Sequence, residues 1–255
     1  MRRIIAIANQ KGGVGKTATT LNLGAALTRR GRKVLLIDLD PQECLTASLG
    51  VPTPESERSL REVLIGDPPL ALDQILVEAH GMSLAPAGLD LAEVELKLLA
   101  EIAGSMALRT ALKPERRFDY ILIDCPPSLG LLTLNALAAA DEVLIPTQTE
   151  FLALRRLAAV LRTIEKVRRR DLNGHLVVTG ILPTMFDART VHHREVLEQI
   201  QEALGKEYRI FPPIPRSIRF AEAPVAGRPI FDLASDIEAA HAYETLAKTL
   251  EEKKQ

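Results

Sequence analysis

The sequence predicts an α/β protein with a doubly wound, mostly parallel sheet and helices on both faces. Three observations predict it. Short apolar runs alternate with helical patterns along the whole chain, a glycine-rich loop follows the first run, and two later runs end in aspartate. The 255 residues suffice for one such core and are read as a single domain, 1–255.

The first strand, Ile4 to Ala8, is unbroken in apolar character, as a strand covered on both faces requires. A helix at Lys16 to Arg30 leads to a second strand, Val34 to Asp38. The stretch Val51 to Arg58 and the turn Asp67-Pro68-Pro69 then mark a loop-rich insertion too short for a separate domain. A strand at Ser83 to Ala85, a helix at Leu91 to Leu112, a strand at Tyr120 to Asp124 and a helix at Leu131 to Ala139 follow. After the strand Glu142 to Ile145 comes the helix Phe151 to Arg170. Its Leu157, Val160, Leu161, Ile164 and Val167 recur at three- and four-residue steps and form one apolar stripe, with Arg155, Arg162, Lys166 and Arg169 opposite. Strands at Leu176 to Ile181 and Tyr208 to Phe211, with helices at Val191 to Leu204 and Asp236 to Glu252, complete the pattern.

Composition narrows the function. Lys+Arg 32 against Asp+Glu 33 gives no global attraction to nucleic acid, so DNA binding requires a local patch. With no Trp and aromatics at 4%, base stacking on an aromatic platform is disfavoured. Cys44 and Cys125 form no disulfide framework and point to a reducing compartment. The first strand starts too early to leave room for a leader, and no apolar run reaches membrane-spanning length. The expected location is therefore cytoplasmic.

The chemistry starts in the loop Asn9-Gln10-Lys11-Gly12-Gly13-Val14-Gly15-Lys16-Thr17. Its glycines free the backbone so that successive N–H groups can curl around phosphate oxygens at a helix start. The predicted ATP contacts are Lys11, Gly12, Gly13, Val14, Gly15, Lys16, Thr17 and Ala18, with Lys16 reaching the β- and γ-phosphates and Thr17 holding Mg²⁺. Gln10 stands where the ordinary pattern has glycine, so the loop is a variant of the Walker A motif. The second lysine, Lys11, suggests a nucleotide switch that works in pairs.

Asp124 ends the strand from Tyr120 and sits where an aspartate orders the Mg²⁺ shell, usually through water. Asp38 and Asp40 both stand at the end of the second strand and are read as serving different ends. Asp40 is expected to position the attacking water. Asp38 is expected to support Mg²⁺ or the loop. Lys11, Lys16 and Asp40 are thus the predicted catalytic residues, and Thr17, Asp38 and Asp124 the predicted metal residues.

Together these segments resemble the deviant Walker A ATPases of the ParA/MinD family, most closely the ParA/Soj branch. The resemblance also rests on Asp38-Leu39-Asp40-Pro41-Gln42, on Phe118 to Gly130 with Leu132 to Leu137, on Thr184 to Thr190, and on Ile214 to Arg219. It implies a homodimer in the ATP state, with Lys11 crossing the interface to the partner's nucleotide. It also implies that Pro215, in the Ile214-Pro215-Arg216 turn, lines the base pocket, and that Arg189, Arg216 and Arg219 bind double-stranded DNA nonspecifically. A ParB-like activating protein and nucleoid association follow from the same resemblance. Arg155, Arg162, Lys166, Arg168, Arg169 and Arg170 supply a further basic strip.

The chain departs from the branch at four places. Ala18 replaces a hydroxyl residue that touches the α-phosphate, which should weaken nucleotide affinity by about 1 kcal/mol. Glu43-Cys44 replaces Gly-Asn after the Asp-Pro-Gln loop. Arg155-Arg156 stands where Glu-Gly is common, and Ala234-Ser235-Asp236-Ile237-Glu238 where a basic segment is usual. The implied function is an ATPase that segregates or positions chromosome, plasmid or other large cargo. Two alternatives are a MinD-like cell-division positioning ATPase and a slow-turnover, ATP-bound adaptor. The first needs a basic amphipathic end rich in Phe and Leu, and Leu246 to Gln255 is poor in bulky apolar residues and carries two glutamates.

Overall fold

Seven strands form one sheet in the order β3-β4-β2-β5-β1-β6-β7 in the computed structural model, which describes residues 2–55, 58–88, 90–101, 103–170 and 172–252. The strands are β1 (Arg3–Ile7), β2 (Val34–Asp38), β3 (Val77–Ala79), β4 (Met82–Ala85), β5 (Tyr120–Asp124), β6 (Glu142–Gln148) and β7 (Val177–Thr184). All pair in parallel except β3, which runs antiparallel to β4 at the edge. The helices are α1 (Lys16–Arg29), α2 (Cys44–Ser48), α3 (Leu60–Ile65), α4 (Leu91–Ala100), α5 (Ala107–Leu112), α6 (Leu131–Ala139), α7 (Ala153–Arg169), α8 (Val191–Leu204), α9 (Arg219–Val225), α10 (Ile230–Leu233) and α11 (Glu238–Glu252).

The pleat sorts each central strand between two cores. Ile4, Ala6, Leu35, Ile37, Ile121 and Ile123 pack beneath α3 to α8, whereas Ile5, Ile7, Leu36 and Leu122 pack beneath α1, α10 and α11. Both faces are covered, so the strands read as continuous apolar runs. The expected stripe of α7 is buried at Leu157, Val160, Leu161, Ile164 and Val167, and Arg155, Arg162, Lys166 and Arg169 are exposed.

Two expected elements need correction. The helix read as Leu91 to Leu112 is two helices, because a β-carbon on Gly104 would lie 1.9 Å from the carbonyl oxygen of Leu98. The chain folds back on itself there, and Asn135 of α6 holds the junction by donating to the Gly104 carbonyl at 2.8 Å and accepting from the Leu108 N–H at 3.1 Å. The strand read as Tyr208 to Phe211 is a single bridge between Ile210 and Ile181. Pro212 and Pro213 follow it without N–H groups, so the ladder cannot extend. The reading also lacked β3, α2, α3, α9 and α10, which are too short to carry a period. Residues 56, 57 and 102, within the expected insertion and helix, and 253–255 of the expected C-terminal segment lie outside the described residues.

Candidate functional site

The order β2-β5-β1-β6 places the loop after β1 between the carboxyl ends of its neighbours, where open α/β sheets bind ligands. Gly13 and Gly15 take φ of 72° and 83°, in the left-handed region that lets consecutive N–H groups turn inward before α1. Thr184, at the end of β7, fixes the loop by donating to the Val14 carbonyl at 2.9 Å. Asn9 fixes its start, donating to the Pro146 carbonyl at 2.6 Å and accepting from the Lys11 N–H at 3.1 Å.

Lys16 opens α1 and is buried, and its Nζ donates to the Lys11 carbonyl across the loop at 3.2 Å. Lys11 points elsewhere. Its Nζ donates to Glu150 Oε2 at 2.6 Å and to Gln148 Oε1, Gln148 being the last residue of β6 and Glu150 two residues beyond it. Ala18 contributes its carbonyl to Asn22 Nδ2 at 2.8 Å, and its methyl adds no polar group to the loop.

Sheet register sets Asp38 directly opposite Asp124, so both carboxylates emerge on the same face, toward α1. Both are fully buried. Burial first, and the Asp38 charge second, push the Asp124 carboxyl up to about 8, against the pull of the Thr17 hydroxyl and the Lys16 charge. Thr20 donates to Asp124 Oδ1 at 3.3 Å, while Oδ2 is buried without a hydrogen-bond partner. An orphaned carboxylate oxygen beside Thr17 and Lys16 fits a hydrated divalent cation that keeps water and phosphate as its other ligands. No cluster of three or more His, Cys, Asp or Glu with metal-holding geometry occurs among the described residues.

Asp38 is committed to the loop. Its Oδ2 accepts from the Thr46 N–H at 2.8 Å and hydroxyl at 2.7 Å, and its Oδ1 from the Asp40 N–H at 3.3 Å. Burial is the main cause raising its carboxyl to about 6. Asp40 closes the Asp-Pro-Gln turn by accepting from the Gln42 N–H at 3.0 Å. Glu43 takes φ of 54°, a conformation natural to the glycine found there in the resembling branch. Its Oε2 is held by the Thr53 hydroxyl at 2.7 Å, while Oε1 is buried without a partner.

The segment Ile214-Pro215-Arg216 runs beside Phe186, beyond the end of β7, through hydrogen bonds Phe186 N–H to Ile214 O at 3.1 Å and Arg216 N–H to Phe186 O at 2.9 Å. Pro215 therefore lies at the loop's end of the sheet. Arg189 and Arg219 are exposed but locally paired: Arg189 forks onto Asp187 at 2.9 and 3.0 Å, and Arg219 meets Glu222 at 2.6 Å. The Arg189 fork holds the Asp187 carboxyl down at about 2. Arg216 is also exposed. Arg168 is drawn out of the basic strip by the Leu176 carbonyl, at 2.6 Å, and by Glu165.

The sequence reading lacked Thr20, Thr46, Gln148, Glu150 and Thr184. Their signal is position: each lies at a strand's carboxyl end or in the helix turn facing it. Cys125 is buried, with its thiol pushed up by burial and by Asp124, and behaves as a small core residue.

A family model described as an AAA domain matches residues 2–178. An uncharacterised protein of Mycobacterium tuberculosis is 47% identical over 251 residues, covering 97% of this chain and 78% of its own. The chromosome-partitioning ATPase Soj of Thermus thermophilus is 45% identical over 247 residues, covering 96% of this chain and 94% of its own. A Mycobacterium smegmatis structure described as cobyrinic acid a,c-diamide synthase with bound ADP and magnesium superposes with a TM-score of 0.85 at 44% identity, covering 98% and 94% of the two chains. The chain thus belongs to the ParA/Soj branch of the ParA/MinD family of deviant Walker A P-loop ATPases.

Proposed function

We propose that this ATPase is a nucleotide switch, built on one domain, that pairs in the ATP state, binds DNA nonspecifically through the pair, and segregates or positions chromosome, plasmid or other large cargo with a ParB-like activator. The observation that carries the reading is the placement of a two-lysine phosphate loop against the Asp38–Asp124 carboxylate pair. Backbone N–H groups from Gly12 to Ala18 cradle the triphosphate, and Lys16 turns from the Lys11 carbonyl to the β- and γ-phosphates. A bound Mg²⁺ would supply charge neutralisation to the triphosphate. Thr17 and, through water, Asp124 would hold it, while Asp38 acts at one remove by bracing Thr46. Asp40 orients the attacking water, and Pro215 lines the base pocket.

Alignment and charge stabilisation supply most of the catalysis of phosphoryl transfer to water. Lys11 adds its charge across the interface to the partner's triphosphate. Loss of the γ-phosphate then removes the contact that favours pairing, so hydrolysis opens the pair. Phe151 and Leu152, exposed beside Glu150, support a second copy as the occupant of this face.

The MinD-like alternative is disfavoured by α11, whose Tyr243, Leu246, Ala247 and Leu250 are buried against the core. No helix among the described residues is long and apolar enough to cross a membrane. Gel-shift titrations test the reading. Duplex DNA should be retained with ATP and released with ADP, and Arg189→Glu or Arg219→Glu should weaken it. Affinity should fall with salt at a slope of about −0.9 per phosphate neutralised. Lys11→Ala should lose DNA by leaving single subunits with half the surface. Equal binding with ADP and ATP would reject gating by pairing.

A further inference from the structure

Lys11 cannot serve a partner's phosphates while it is held in its own subunit. Glu150 Oε2 accepts from Lys11 Nζ at 2.6 Å and from the Arg156 guanidinium at 3.3 Å, so two cations share one carboxylate oxygen. Gln148 ties the arrangement to the phosphate loop, accepting from Lys11 and donating to the Gly13 carbonyl at 2.9 Å. Arg156 comes from the first turn of α7, at one of the places where this chain departs from its branch. Lys11, Arg156 and Glu150 are 26%, 31% and 46% exposed, so the cluster is neither a freely solvated pair nor a buried one.

We propose that Glu150 is a cis latch for Lys11 and that Arg156 is its relief cation, keeping the carboxylate paired once Lys11 swings toward the partner subunit. The proposal deepens the paired-switch reading and rests on it for the destination of Lys11. A guanidinium presents several donors in a fixed plane and can take both carboxylate oxygens as the ammonium leaves. Departure of Lys11 then exchanges one ion pair for another and strands no charge. Both residues are positioning residues: they set where Lys11 stands, and neither touches phosphate.

Two measurements separate the latch from the pairing reading. The first is acetylation of Lys11 by an N-hydroxysuccinimide ester in the ADP-bound single subunit, followed by mass spectrometry. Glu150→Gln should speed it about 2- to 5-fold, the range expected for a partly exposed ion pair, and Arg156→Ala should slow it. The second is the ATP-dependent dimer dissociation constant by sedimentation. Glu150→Gln should lower it, and because two latches open per pair the effect is squared, to about 4- to 25-fold. Arg156→Ala should raise it, Arg156→Lys should restore it in part, and Arg156→Ala should have no effect in the Glu150→Gln background. A merely structural Arg156 would instead alter pairing equally in both backgrounds. Lys11 labelling unchanged by both substitutions, or an Arg156 effect that survives Glu150→Gln, would overturn the proposal. If labelling follows the expected order while ATP drives no pairing, the latch stands and the paired-switch reading falls.

Discussion

Asp124→Asn should stabilise the nucleotide-free protein and abolish its ATP hydrolysis. Asp124 faces Asp38 in register, both are fully buried, and Asp124 Oδ2 has no partner. Burial and the neighbouring carboxylate raise Asp124 from its ordinary 3.8 to about 8. A carboxyl whose value is higher in the folded than in the unfolded chain holds more protons when folded, so stability falls as pH rises from about 4 to about 8. At about 1.4 kcal/mol per pH unit the interval sets a ceiling near 6 kcal/mol. Coupling to Asp38 and solvent relaxation reduce this, which leaves an expected gain of about 1–3 kcal/mol for Asn at pH 8.

That gain corresponds to roughly 3–9 °C in Tm for a chain of this size. Calorimetry without nucleotide at pH 5.5 and pH 8 reads it directly: the wild type should lose more stability than the variant on going to the higher pH. Adding ATP and Mg²⁺ should reverse the order, because only the wild type gains the full binding free energy. A variant less stable than the wild type at both pH values, or one with the same pH slope, would refute the argument.

Asp40→Ala should keep ATP binding and pairing but slow hydrolysis by about 100-fold or more, since it removes water alignment and leaves the phosphate clamp intact. Phosphate release and sedimentation check this, and an ATP-bound single subunit would contradict it. Gly24→Ala should cost about 1–3 kcal/mol by overpacking α1 against the sheet, because the new β-carbon would lie 2.8 Å from Leu36 Cδ2 and 3.0 Å from Met82 Sδ. Denaturant titration measures it, and an unchanged midpoint would show that the flexible Met82 end gives way.

The central sheet was legible because its strands are buried on both faces, and an unbroken run such as Ile4 to Ile7 needs no context to be read. The phosphate loop was legible because its glycines and lysines answer local demands of backbone and charge. Elements set by tertiary contact were not. Nothing near Gly104 announces that Leu98 will approach it, and nothing near Ile210 announces that Ile181 will offer one bridge and no more. Gln148 and Glu150 escape a reading by apolar pattern because the apolar run of β6 stops at Ile145, and the polar Thr147 and Gln148 carry the strand on toward the loop.

The Asp38–Asp124 pair shows why a site can be named residue by residue and still not be built from sequence. Each aspartate ends an apolar run, which marks it as a candidate. Their opposition depends on β5 lying beside β2, an order that skips two strands of the sequence and is written in no local pattern. Only that adjacency turns two ordinary strand ends into a buried double charge that protons or a divalent cation must neutralise. Glu43 makes the complementary point from the same loop. Its departure from glycine is a single letter, yet its meaning lies in a φ of 54° and in the Thr53 hydroxyl that holds the side chain. A non-glycine residue in that region costs on the order of 1 kcal/mol, and one neutral donor returns a similar amount. The loop beside Asp40 is therefore stiffer than a glycine would make it, and the stiffness carries a cost, because Glu43 Oε1 stays buried without a partner while Thr53 holds only Oε2.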